Sequence, residues 1–118
     1  MVGKKKKNTG SKKQWIHLPS AHLDELLAEA TMDCYDEYEE ISGIYTMIEE
    51  NLNLPFTTTI FEVEVKVERI DLNEANMIVA ICRRGRERHP IPLLDLPLPD
   101  PRPEGVEWID VYRRWAKL

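Results

Sequence analysis

The sequence predicts an α+β fold: an N-terminal acidic helix pair, a small antiparallel sheet long enough to curl into an SH3-like half-barrel, and a short C-terminal helix. Two changes of period carry this reading. Apolar residues recur at helical spacing from Leu23 to Leu52, then at every second position from Phe61 to Val67. Helical spacing returns at Trp108, Val111, Tyr112 and Trp115. Helices, then strands, then a helix is an α+β order.

Ser20 is the expected N-cap of the first helix, because it follows Pro19, precedes the first apolar-periodic residue and is followed by Asp24 and Glu25 in the opening turn. That helix is expected to run to about Ile41, with Leu23, Leu27, Ala30, Cys34, Tyr38 and Ile41 as its core stripe. Ser42-Gly43 is expected to end or kink it, since glycine costs about 1 kcal/mol inside a helix. Ile44, Tyr45, Ile48 and Leu52 restart the period, and Asn51 to Pro55 closes the helical half.

Phe61, Val63, Val65 and Val67 alternate with Glu62, Glu64, Lys66 and Glu68, the pattern of a strand with one buried and one wet face. Asp71 to Asn76 reads as a turn, Met77 to Cys82 as a buried strand, Arg83 to Arg88 as a basic turn around Gly85, and Ile91 to Leu94 as a returning strand. Pro90 and Pro92 confine that last strand to a sheet edge. Pro97, Pro99, Pro101 and Pro103 form a stiff extended connector. The final helix has Glu104 and Glu107 at its start and Arg113, Arg114 and Lys117 at its end, matching the helix dipole.

With 118 residues there is material for one modest core, so residues 17–118 read as a single domain and residues 1–16 as a disordered basic tail. Lys4 to Lys7, Lys12 and Lys13 lie in that tail, so the net charge of -5 understates the acidity of the domain, and that acidity argues against a nucleic-acid footprint on the domain itself. Two cysteines without a metal-type Cys-x-x-Cys pair point to buried thiols in a reducing compartment. No apolar run approaches the ~20 residues of a membrane span. A cytoplasmic monomer is expected.

Between Gln14 and Val65 there are twelve carboxylates and no lysine or arginine. The densest part is Asp33-Cys34-Tyr35-Asp36-Glu37-Tyr38-Glu39-Glu40. On a continuous helix Glu29, Asp33, Asp36, Glu37 and Glu40 share one flank, and each like-charge neighbour costs roughly 0.2–0.5 kcal/mol. Such a flank calls for a cation.

Several segments together resemble the cyanobacterial calcium-binding protein family. They are Asp33 to Glu39, Tyr45 to Glu50, Leu54-Pro55-Phe56, Ile78 to Gly85, Ile91 to Leu96, and Glu107-Trp108-Ile109 with Tyr112 to Trp115, in matching order from about Ala21 to Trp115. The resemblance implies a small non-EF-hand protein that buffers or senses cytosolic Ca2+ through carboxylates of the acidic helix. It also implies a tie to calcium-controlled cell differentiation in cyanobacteria. Carried onto this chain, the candidate metal ligands are Asp33, Asp36, Glu37 and Glu40.

Elementary coordination chemistry agrees. Calcium accepts six to eight oxygens at about 2.3–2.6 Å in loose geometry, whereas zinc and copper prefer imidazole or thiolate donors that this flank lacks. Residues seven apart on a helix are about 10.5 Å apart along its axis, so the carboxylates must act as the pairs Asp33 with Glu37 and Asp36 with Glu40. Water or the loop around Asn51 to Asn53 is then expected to complete shallow sites of modest affinity, with Glu37, nearest the apolar stripe, best placed.

An EF-hand is excluded, because Asn76 stands where its glycine is required and Cys82 where its bidentate glutamate belongs. The alternative function is a protein-interaction adaptor whose acidic helix docks a basic partner. A further possibility is that the basic turn at Arg83 to Arg88 faces the acidic flank when metal is absent. No nucleophile, phosphate-binding glycine loop or convergent histidine supports an enzyme.

Overall fold

The computed structural model describes residues 19–117. The expected tail at residues 1–16 lies outside them, as does His17. The order is α1 (Ser20–Ala30), α2 (Glu37–Asn51), β1 (Phe56–Ile60), β2 (Val63–Leu72), β3 (Ile78–Arg84), β4 (Glu87–Pro92), a 3-10 turn at Leu93–Asp95, and α3 (Glu107–Trp115). The α+β order and the acidic helix pair are as expected. The sheet is an antiparallel meander, β1-β2-β3-β4, and it is not closed.

The boundary between the helices differs from expectation. The chain leaves the helix after Ala30 and re-enters it at Glu37, while α2 passes through Ser42-Gly43 without interruption. Gly43 is there for a packing reason: a Cβ at this position would overlap the carbonyl oxygen of Ala30. The two helices cross too closely for any side chain at that point. Cys34 is half-buried and Tyr38 is 67% exposed, so the single core stripe drawn through both is broken as well. Pro19, not Ser20, is the N-cap of α1; its carbonyl accepts from the amides of His22 and Leu23.

The sheet adds β1, a strand the alternation did not reveal. Phe61, expected on the core side, instead stands 95% exposed in the β1–β2 turn, where it and Glu62 both have positive φ, at 49° and 64°. This conformation suits a two-residue hairpin because it follows the right-handed twist of the strands. Gly85, at φ 61°, serves the β3–β4 turn in the same region of backbone space. β4 is an edge strand carrying Pro90 and Pro92, as expected, but it ends at Pro92 and Leu93 begins the 3-10 turn.

The core lies between one face of this sheet and the three helices. Ile44 and Ile48 of α2 meet Val67 and Ile70 of β2, Ile78, Ala80 and Cys82 of β3, and Ile109 and Val111 of α3. Alternate residues of β3 point inward, which is how a period of two becomes a buried face. Between the sheet and α3 runs an extended strap, held at one end by the Thr58 hydroxyl donating to the Pro97 carbonyl at 2.6 Å. At its other end Arg102 pairs with the buried Asp110 at 2.9 Å. No helix among the described residues is long and apolar enough to cross a membrane.

Candidate metal centre

The acidic octet is a turn followed by a helix start, and each of its residues has a distinct place. Thr31 ends α1, its hydroxyl donating to the Leu27 carbonyl at 2.8 Å. Asp33 lies beyond it at φ 64°, a left-handed conformation that aspartate tolerates better than most residues. Asp36 is extended and caps α2: its Oδ1 accepts the Glu39 amide at 2.8 Å. Glu39 reaches back, its Oε1 accepting the Tyr35 amide at 2.6 Å. This is a capping-box arrangement, with the reciprocal bond made one residue before the cap.

The electrostatic argument changes accordingly. Glu37, Glu39 and Glu40 occupy the first turn of α2, where unpaired amides and the helix dipole present positive charge. Part of the crowding is thus relieved by the helix itself. Among the described residues, none of Asp33, Asp36, Glu37, Glu39 and Glu40 makes an ion pair.

Of the four candidate ligands, Asp33, Asp36 and Glu37 are exposed and Glu40 is half-buried. The structure does not place them as i,i+4 pairs on one straight helix, because Asp33 and Asp36 precede α2. Glu37 and Glu40 line an open hollow with Asp24 of α1 and Arg114, Trp115 and Lys117 from the end of α3. Glu40 Oε1 accepts the Trp115 indole N–H at 3.0 Å. Asp24 takes both Nε and Nη2 of Arg114, at 2.6 and 3.2 Å, and this bond holds its carboxyl below the usual carboxylate range. The Asn51 to Asn53 loop cannot complete this centre. Glu37 and Asn51 are opposite ends of a 15-residue helix, about 21 Å apart at 1.5 Å per residue.

The donor chemistry fits a hard cation. Cys34 lies beside the carboxylates, but desolvation and then the charges of Glu39, Glu40, Asp33 and Asp36 push its thiol up, so no thiolate is offered to a soft metal. His22 pairs with Glu25 in α1 and His89 with Glu87 in β4, away from the octet in sequence. No group of three or more His, Cys, Asp or Glu side chains is already gathered as a metal cage among the described residues. An ion held here would require side chains to swing inward. Of the EF-hand-like letters, Asp71 belongs to the end of β2, and the turn expected from Asp71 begins only at Asn73, whose Oδ1 accepts the amides of Ala75 and Met77. The basic hairpin does not neutralise the octet either: Arg83 and Arg88 both close on Glu68, at 2.8 and 2.7 Å.

A family model described as calcium binding, named for CcbP, matches residues 24–116. The chain belongs to this calcium-binding family. Its cofactor is accordingly Ca2+. The crystal structure of Anabaena CcbP superposes with a TM-score of 0.64 at 16% identity, covering 86% of this chain and 94% of that one, a likeness of fold. No curated protein matches.

Asp24 was missed as a neighbour of the candidate ligands, because its place depends on α3 returning to α1. Glu39 was missed in its capping role, although Asp36-x-x-Glu39 before an apolar-periodic run is the local signal for one.

Proposed function

We propose that this protein buffers or senses cytoplasmic calcium as a monomer, without catalysis, through Asp33, Asp36, Glu37 and Glu40 of a domain spanning residues 17–118. The observation that carries this reading is the break between α1 and α2. It sets the four carboxylates on one turn and one helix start, where among the described residues none of them makes an ion pair.

Calcium supplies a divalent charge that accepts oxygens in loose geometry, with water filling the rest of its shell. The chain's own part is to hold the donors. Asp36 keeps Oδ1 on the Glu39 amide and has its second oxygen to offer; Trp115 fixes the orientation of Glu40; Asp33 is presented by its left-handed backbone. Exposed donors and a centre that is not preassembled favour modest affinity and rapid exchange, as buffering requires. Free Cys34 and Cys82, with no disulfide between them, suit a reducing compartment.

Isothermal titration of the wild type, Asp36→Ser and Glu37→Gln tests the assignment. Saturable calcium binding is expected in the wild type, weakened by at least about tenfold, or about 1.4 kcal/mol, in each variant. A wild type that gives no saturable heat at millimolar calcium overturns the proposal.

A further inference from the structure

Among the described residues five large hydrophobic side chains stand exposed, and three of them, Met32, Tyr35 and Tyr38, lie on the α1–α2 turn and the first turn of α2. Tyr35 is 89% exposed, while its backbone amide donates to Glu39 Oε1. Tyr38 also edges a shallow groove that continues along α2 past Glu39, Ser42, Gly43 and Thr46. Exposed rings interleaved with carboxylates offer a surface on which a cationic segment can dock.

We propose that its occupant is this chain's own lysine-rich segment, residues 4–13, and that this segment and calcium compete for the turn. The competition rests on the calcium reading above; the docking does not.

Charge complementarity argues for this occupant. Asp33, Asp36, Glu37, Glu39 and Glu40 alternate along the chain with the three side chains, whereas Lys4 to Lys7, Lys12 and Lys13 form the largest concentration of positive charge in the sequence. Four arginines among the described residues are engaged elsewhere: Arg83 and Arg88 with Glu68, Arg102 with Asp110, and Arg114 with Asp24. Lysine also suits the surface, since an ammonium group packs over tyrosine faces while its methylenes cover apolar atoms such as those of Met32. The negative surroundings disfavour nucleic acid and anionic membrane, whose own charge has the same sign.

Reach argues for it too. The 11 residues of α1 carry the chain about 16 Å from its start to the turn. Lys13 precedes Pro19 by six positions and Lys4 by fifteen, spans of up to about 20 Å and about 50 Å at full extension. Lys13 can just arrive and Lys4 to Lys7 can do so with slack. Tethering on so short a connection gives an effective concentration in the millimolar range, which makes weak contacts count.

The test compares the full chain with a full-length variant in which Lys4, Lys5, Lys6, Lys7, Lys12 and Lys13 are all changed to glutamine, leaving residues 19–117 untouched. Without metal, the amide signals of Tyr35, Asp36 and Tyr38 are expected to differ between the two at low salt and to converge at about 0.5 M salt, where the Debye length falls below about 5 Å. Apparent calcium affinity at low salt is expected to be several-fold higher in the glutamine variant. Coinciding metal-free signals at low salt overturn the docking. Differences that grow with protein concentration overturn it in favour of contact with a second copy. Signals that differ while neither chain binds calcium leave the docking standing and reject the calcium site. Signals that differ with equal calcium affinities reject the competition alone.

Discussion

The indole N–H of Trp115 donates to Glu40 Oε1 at 3.0 Å, fastening the last turn of α3 to the first turn of α2. Trp115 also stacks on Tyr112, with ring centroids 6.3 Å apart, and the Tyr112 hydroxyl accepts the Ile78 amide of β3. One carboxylate of the candidate centre is thus joined to the sheet through two aromatic rings. Calcium is expected to move the Trp115 indole resonance, because any change at Glu40 alters the acceptor of that N–H. The indole of Trp108, 5% exposed in the core, is expected to stay in place. Equal displacement of both resonances, or of neither, contradicts a centre that includes Glu40. Trp115→Phe removes the donor and is expected to lower stability by about 0.5–1.5 kcal/mol in chemical denaturation.

Asp36 has two roles that substitution can separate. As N-cap it accepts the Glu39 amide, and Asp36→Ala is expected to cost about 1 kcal/mol without any metal present. Asp36→Ser keeps an acceptor at the cap and removes the charge. Its metal-free melting temperature is expected to stay near that of the wild type, while its response to calcium shrinks. For the wild type, calcium at a hundred times Kd is expected to add about 2.7 kcal/mol. Thermal unfolding with and without calcium measures both quantities.

What was legible in the sequence was whatever local periodicity encodes. The alternation around Val63 to Val67, the edge position of a strand holding Pro90 and Pro92, and the apolar face of Trp108 to Trp115 all follow from side chains meeting the same core. The helix break was hidden because Leu23, Ala30 and Ile41 remain in phase across it, and periodicity registers phase without showing whether the backbone between is helical. β1 was hidden for a different reason. Its buried residue is Thr58, whose hydroxyl is satisfied by Pro97, 39 positions away. The contacts that shape the hollow are equally distant along the chain, Asp24 with Arg114 across 90 positions and Glu40 with Trp115 across 75. Composition announced a cation-seeking segment; only the folded chain shows that half of it is a helix cap.

Gly43 is the hinge of that arrangement. Gly43→Ala puts a methyl group against the Ala30 carbonyl, which belongs to the backbone and cannot rotate aside. The helices must separate, at an expected cost of about 1–3 kcal/mol, as for overpacking in a core. Because the same crossing positions the turn, calcium affinity is expected to fall with stability even though no ligand has changed. Denaturant melts paired with calcium titration of this variant check the coupling.

Acid should loosen the contact between α1 and α3. The Arg114 hydrogen bond lowers the pKa of Asp24, so the pair contributes stability above the ordinary carboxylate range near about 4 and loses it as pH falls through the lower folded value. Glu68, lowered chiefly by Arg88, adds a loss of the same sign within the sheet. Asp24→Asn is expected to make the acid limb of a melting-temperature profile less steep while leaving neutral stability close to unchanged, because the exposed ion pair is worth little there. An identical acid limb in this variant counts against the assignment.

The alkaline limb has its own reporter. Desolvation, followed by the hydrogen bond to Glu49 Oε2 at 2.9 Å, pushes Tyr45 up to about 12. The same hydroxyl lies 3.2 Å from the Ile70 carbonyl, bridging α2 to β2. A phenol whose pKa is higher in the folded state contributes stability that is complete below its unfolded value near about 10. That contribution disappears as pH climbs through the folded value, because the phenolate lacks the proton both acceptors share and faces the negative charge of Glu49. Melting temperature is therefore expected to fall between about pH 10 and pH 12. Tyr45→Phe is expected to start lower, having lost the bridge, and to decline less over the same interval; parallel curves for the two proteins contradict this role for the hydroxyl.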